Sequence, residues 1–181
     1  MKSDTLQRLR LSHATLSDLG IPHGLIGGWA VIAWGRVRAT RDLDWLAVIP
    51  ASRRKEAITA LSTLGAPEWR PPGEDDPVAG LIRVVSQNPE DAVIDIILAA
   101  SAADRAALTR CLPVDLGGGS LPAVRREDII AMKLQAGGAV DLEDASELLR
   151  VHAGRLDEAM LAEACRARRV TAKLQTLRAQ V

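Results

Sequence analysis

Apolar residues fall into two periods along the chain. Leu6, Leu9, Leu16 and Leu19 recur at helical spacing, with Ser3 placed to cap the first turn and Gly20-Ile21-Pro22 to end the helix. His23 to Ile26 reads as a short strand, and Gly27-Gly28 breaks it before a helix of about two turns from Trp29 to Trp34, which Gly35 terminates. Asp42 to Ile49, Leu81 to Ser86 and Ala92 to Leu98 are rich in Leu, Ile and Val and predict buried strands; the last two are joined by a loop of hairpin length. Between them, Ser52 to Leu64 predicts a helix stopped by Gly65, and Ala66 to Gly80, crowded with Pro, Gly and acids, predicts a loop. Ser101 caps a helix to about Cys111, and Pro113 to Val124 predicts a weak edge strand and a turn. After Arg125 the pattern is helical throughout: Glu127 to Gln135, Asp141 to His152, and Asp157 to Ala179 with a kink near Val170. The pattern divides the chain into a sheet-and-helix core, 1–124, and a helical region, 125–181.

Composition narrows the class. The chain has 181 residues, 48% of them apolar, enough for a substantial core. Its 23 basic and 23 acidic residues cancel, which is not the footprint of a protein that coats nucleic acid. Phe and Tyr are absent and only four Trp supply aromatic surface, which argues against a base-stacking platform. Cys111 and Cys165 stand apart without metal-ligand spacing, and the expectation is a reduced, cytoplasmic setting. No apolar run approaches the length of a membrane span, and the first residues lack the apolar segment of a signal peptide.

The candidate chemistry begins at Asp42 and Asp44. Residues i and i+2 of a strand share a face, roughly 6 to 7 Å apart, so these two carboxylates project together. Like charges held that close resist joint ionisation unless a cation intervenes, and a divalent metal with substrate phosphates is the simplest such cation. The alternative is a turn cap for Asp42 and a solvated edge residue for Asp44. Asp95 lies in the middle of the most apolar strand, where an unpaired carboxylate costs several kcal/mol, so it must be paired, neutral or metal-bound. If its strand adjoins that of Asp42, three acids converge; the competing partner is Arg83. Gly27-Gly28 is a strand-to-helix turn at which a phosphate can approach backbone amides, or else a packing pair. Trp29 and Trp34 pack the small helix on the sheet, with Trp29 a further ligand contact to consider. Arg36, Arg38 and Arg41 surround Thr40 just before the acids and suit a polyphosphate, or simply balance the aspartates.

Taken together, Ile26-Gly27-Gly28, Gly35, Arg38-x-Thr40-x-Asp42-Leu43-Asp44 and the later apolar-Asp95-apolar strand resemble the nucleotidyltransferase superfamily related to DNA polymerase beta. Within it, the wording is similar to the AbiEii-type toxins of abortive-infection and toxin-antitoxin systems. Glu127 to Gly137 with Asp141-Leu142-Glu143-Asp144 resembles that group's helix lysine and Asp-x-x-Asp. Gly27-Gly28-Trp29 also echoes small antibiotic nucleotidyltransferases. The chain is shorter than many of the toxins, and Ala136 stands where they carry a second lysine.

The resemblance implies an α+β nucleotidyltransferase fold, a mixed curved sheet flanked by helices and followed by a C-terminal helical bundle. It implies Asp42, Asp44 and Asp95 as ligands of Mg²⁺ or Mn²⁺, and Gly27, Gly28, Arg38, Thr40, Lys133 and Asp141 around the NTP. Lys133 would touch phosphate, the other reading being a surface lysine laid along apolar neighbours; Asp141 would sit near the cleft, the other reading being a helix N-cap. The implied reaction moves a nucleoside monophosphate from an NTP to a hydroxyl of RNA, tRNA or protein, in a toxin with a cognate antitoxin. The alternatives are an aminoglycoside or lincosamide nucleotidyltransferase and a non-catalytic nucleotide-binding protein. Arg166, Arg168, Arg169, Lys173 and Arg178 offer a landing place for RNA, or a solvated helix face.

Overall fold

The structure, a computed structural model, describes residues 3–73, 79–117 and 119–180. Helix α1 (Ser3–Asp18) leads through Gly20 into β1 (His23–Leu25), α2 (Gly27–Ala33) and β2 (Leu43–Ala47). Then follow α3 (Arg54–Leu61), flanked by single 3-10 turns, β3 (Ala66–Arg70), β4 (Leu81–Val85), β5 (Ile94–Leu98), α4 (Ala102–Thr109) and a hairpin of β6 (Leu112–Asp115) and β7 (Ser120–Ala123). Four helices complete the chain: α5 (Arg126–Ala136), α6 (Ala139–Val151), α7 (Glu158–Ala167) and α8 (Thr171–Arg178). The expected Ser3 cap lies outside the described side chains.

The strands form one mixed sheet in the order β3-β4-β5-β2-β1-β7-β6. β2 runs parallel to β5 and antiparallel to β1, and β7 runs parallel to β1. Period-two alternation sorts the two faces. On one, Leu43, Trp45 and Ala47 of β2, Ile94, Ile96 and Leu98 of β5 and Ile82 and Val84 of β4 are buried. Helix α1 belongs to this face: Trp45, fully buried, donates its indole N–H to Ser12 Oγ at 2.9 Å. Arg8 of α1 donates to the carbonyls of Ala92 and Leu64, both at 3.0 Å, which ties the helix to the sheet. The opposite face carries Asp44, Leu46, Asp95 and Ile97.

Two expectations are corrected. Ala66–Arg70 is a strand rather than loop; it lies at the sheet's edge and pairs antiparallel with β4, where the missing N–H of Pro67 is tolerated. Residues 74–78 of the expected loop lie outside the description. The last predicted helix is two helices, because Arg169 takes a left-handed φ of 58° and the chain turns before α8. Elsewhere local signals hold: Ser101 and Asp104 form a reciprocal capping box on α4, and Gly137 ends α5 in the left-handed conformation.

Candidate active site

Strand register brings the acids together. Asp44 of β2 is the direct neighbour of Asp95 on the parallel β5, and Asp95 is the neighbour of Arg83 on the antiparallel β4. Acid, acid and guanidinium therefore stand in one row on one face. Asp42, exposed, precedes β2 by one residue.

Arg83 grips Asp95 with both ends of its fork, Nε to Oδ1 at 2.8 Å and Nη2 to Oδ2 at 2.6 Å. Asp95 is only 6% exposed, so this pairing supplies the counter-charge that burial demands. Asp44 fares differently. Its carboxyl is pushed up to about 6, first by burial, then by the charges of Asp95 and Asp42, against the smaller pull of Lys133 and a hydrogen bond from the Gly28 amide.

The glycine pair makes room for this arrangement. Gly27 has φ 62°, and a Cβ there would run into the Asp44 carboxylate. A Cβ on Gly28 would lie 2.5 Å from Thr40 Oγ1. The turn expected to admit a phosphate thus holds Asp44 and Thr40 against the start of α2.

A second cluster faces the acids from the helical region. Lys133 of α5 donates to Asp141 Oδ1 at 2.7 Å and lies 3.0 Å from Asp144 Oδ2. Asp144 is fully buried and also receives Arg36 at 2.5 Å and Arg38 at 2.6 Å. Three cations on one buried carboxylate make Asp144 the centre of the cluster. The Asp-x-x-Asp pattern includes it without assigning it a role; the signal in the sequence is its spacing from Asp141, one helical turn on the same face. Asp141 is the partner of Lys133 within the first turn of α6, whose N-cap is Gly138, so the cap reading is corrected. Arg36 and Arg83 are further contributors; sequence leaves Arg36 between a polyphosphate contact and a balancing turn charge, and gives Arg83 as the competing ion pair of Asp95.

Other candidates sit apart from the acids. Trp29 is buried, and Trp34 donates its indole N–H to the Val124 carbonyl at 2.8 Å, so both pack α2 into the body. Of the C-terminal basic residues, Arg168 bonds Asp104 and Gln135, Lys173 bonds the Leu134 carbonyl and Arg178 pairs with Glu158. These three are occupied within the helical region.

The donor set suits a hard divalent cation. Asp42 and Asp44 crowd oxygen ligands where the protein's own cations leave Asp44 with a raised pKa. Among the described residues no three acidic, histidine or cysteine side chains are grouped so that they could hold a metal ion together, so Asp42, Asp44 and Asp95 do not form a three-ligand set. A metal here would complete its shell with substrate oxygens and water, as Mg²⁺ commonly does.

Solved structures share this architecture. The solution structure of the antibiotic-resistance factor ANT(2'')-Ia superposes with a TM-score of 0.59 at 21% identity, over 98% of this chain and 97% of that one. The chain has the nucleotidyltransferase fold. Lincosamide adenylyltransferase LnuA, solved with lincomycin bound, gives 0.50 at 15% identity over 83% of this chain and 99% of its own. A nucleotidyltransferase-like protein of Paracoccidioides brasiliensis gives 0.50 at 15%, over 98% and 93%. No protein-family profile matches, and no curated protein matches in sequence. Among the described residues no helix is long and apolar enough to cross a membrane.

Proposed function

We propose that the protein transfers a nucleoside monophosphate from an NTP to an acceptor hydroxyl, releasing pyrophosphate, with Mg²⁺ or Mn²⁺ as cofactor. The observation that carries this reading is the Asp44–Asp95 register with Asp42 beside it, a crowding of carboxylates in which Asp44 is pushed up to about 6. The acceptor hydroxyl gives up its proton to water as its oxygen forms a bond to the α-phosphorus and the bond to the bridging oxygen of the pyrophosphate breaks; that bridging oxygen keeps the electron pair. Asp42 and Asp44, with Asp95 beside them, would hold divalent cations, which would supply charge to offset the triphosphate and lower the acceptor hydroxyl's pKa. Gly27 and Gly28 fix the direction of Asp44. Arg83 fixes Asp95, which accepts a hydrogen bond from the incoming hydroxyl through lone pairs the guanidinium does not use. Lys133 and Arg38 engage phosphate by exchanging a carboxylate contact, with Asp144 as the pivot, and Thr40 borders the same turn.

Two acceptor classes follow. The likeness to AbiEii-type toxins favours RNA, tRNA or protein, with an antitoxin as partner. A small-molecule acceptor, as in an antibiotic nucleotidyltransferase, is favoured by the occupied C-terminal cations, of which Arg168, Lys173 and Arg178 are bonded internally. Incubation with each α-labelled NTP, Mg²⁺ or Mn²⁺ and candidate acceptors tests the reaction. Metal-dependent NTP binding and transfer are expected, both lost in Asp42→Ala/Asp44→Ala. No transfer and no metal-dependent binding in the wild type would overturn the reading, whereas binding retained unchanged in the double variant would mark a non-catalytic protein. Growth arrest on expression, relieved by the same double variant, would identify a toxin.

A further inference from the structure

Two residues beyond the acid pair, the sheet changes character. Leu46 and Ile97 are direct neighbours on β2 and β5, on the same face as Asp44 and Asp95 and roughly 7 Å further along the strands. A cavity of about 230 Å³ opens over them, with Ile26 and Met132 as further apolar walls. Its polar lining is an ion pair: the Arg168 side chain, only 6% exposed, donates to Asp104 Oδ1 at 2.7 Å and to Gln135 Oε1 at 2.8 Å. Arg168 Nε is buried and has no hydrogen-bond partner among the described residues. Gln135 and Ala136 are exposed and form the mouth.

We propose that this cavity receives the acceptor, and that the acceptor is an uncharged small molecule with an apolar body and a hydroxyl at one end. This rests on the nucleotidyl-transfer reading for the hydroxyl's destination, while the cavity chemistry stands by itself. Asp104 and Arg168 neutralise each other, so the lining offers no net charge to a polycation or to a nucleic-acid backbone. Its walls are aliphatic, which favours hydrocarbon over the stacked face of a base. The volume holds a chain or ring of about six to eight carbons, since each methylene fills roughly 27 Å³ at the density of protein interiors. Such a body seated over Leu46 and Ile97 brings a hydroxyl within one strand step of Asp95.

The test uses n-alkyl β-D-glucosides as probes on the full chain, followed through the ¹³C-labelled methyl of Met132. Methyl, butyl and hexyl glucosides should shift that resonance with affinity rising about fourfold per methylene, from roughly 0.8 kcal/mol of burial each. Spermine should leave it unmoved. Ala136→Phe, a substitution at an exposed lining residue, should weaken hexyl glucoside at least tenfold while NTP affinity holds within twofold; Met132→Ala, followed through labelled methyls of Leu46 and Ile97, provides a second, enlarging variant in which longer chains regain affinity. A response to NTP alone, with NTP affinity lost in Ala136→Phe, would make the cavity a base site and overturn the proposal. Tighter binding of spermine than of the glucosides would overturn the assigned acceptor chemistry. No response to any glucoside would reduce the cavity to a packing gap. If the wild type binds no NTP in the presence of metal, the transferase reading fails, yet the glucoside titration still decides the cavity.

Discussion

Replacing Asp44 by Asn should stabilise the protein while abolishing the proposed nucleotidyl transfer. Asp44 is raised from 3.8 to about 6 in the folded protein, a difference of about 2 pH units, or about 3 kcal/mol at 1.36 kcal/mol per unit. Partial solvent access makes this an upper bound. Because the folded pKa lies above the unfolded one, both states are protonated below about 4 and no penalty exists there. As pH rises from about 4 to 6 the unfolded chain ionises first, so stability falls; above 6 the whole penalty is present. Asn keeps an oxygen for the Gly28 amide and removes the charge. Urea denaturation in EDTA should therefore show Asp44→Asn more stable than wild type by about 2 to 3 kcal/mol at pH 8 and by little at pH 4. Saturating Mg²⁺ or Mn²⁺ should close the gap by stabilising the wild type alone. Equal or lower stability of the variant at pH 8 in EDTA would refute the crowding argument, and with it the physical case for a metal.

Arg83→Gln should leave Asp95 buried beside Asp44 without its fork; we expect a loss of about 2 to 3 kcal/mol in EDTA, discounted for the partly exposed arginine, and a larger metal-induced rise in Tm than in the wild type. Equal rises would show that Arg83 and the metal do not share Asp95. Asp144→Asn removes the charge that holds Arg36, Arg38 and Lys133, and should cost about 3 to 5 kcal/mol by urea denaturation together with a raised KM for NTP; a cost below about 1 kcal/mol would mean solvent compensates the cations. Gly27→Ala should lower Mn²⁺ affinity by an order of magnitude or more because the new methyl displaces the Asp44 carboxylate. Gly20→Ala is its control, with a similar φ of 61° and no atom within 4 Å, so it should cost only the backbone strain of about 1 kcal/mol and leave Mn²⁺ binding intact.

Local chemistry made most helices legible. Ser101 with Asp104, Gly137 after α5 and Gly35 after α2 act within a few residues, and the structure uses each as a helix boundary. Strand β3 escaped because Ala-Pro-Glu-Trp-Arg has the composition of a loop, and only its place at the sheet edge makes Pro67 acceptable there. The parallel pairing of β7 with β1 was equally out of reach, since no local signal announces a partner so distant in sequence. The two readings of the C-terminal cations stayed open for a related reason: charge pattern cannot show that Arg168 is spent on Asp104 across the fold.

The site itself was half written in the sequence. Asp44-x-Leu46 on β2 and Asp95-x-Ile97 on β5 share one spacing, acid then apolar on the same face of each strand. Neither pair implies the other. Once the strands run parallel with Asp44 opposite Asp95, however, Leu46 must lie opposite Ile97, and an acidic row must abut an apolar floor. A shift of one residue in that register would put Trp45 beside Asp95 and dismantle both features at once. The choice between the two readings of Asp95, ion pair or site residue, dissolves for the same reason: the antiparallel register of β4 sets Arg83 against Asp95 from the side away from Asp44. One carboxylate can then be neutralised within the sheet and still face the site, and the burial that required a partner for Asp95 is met without removing it from the row of acids.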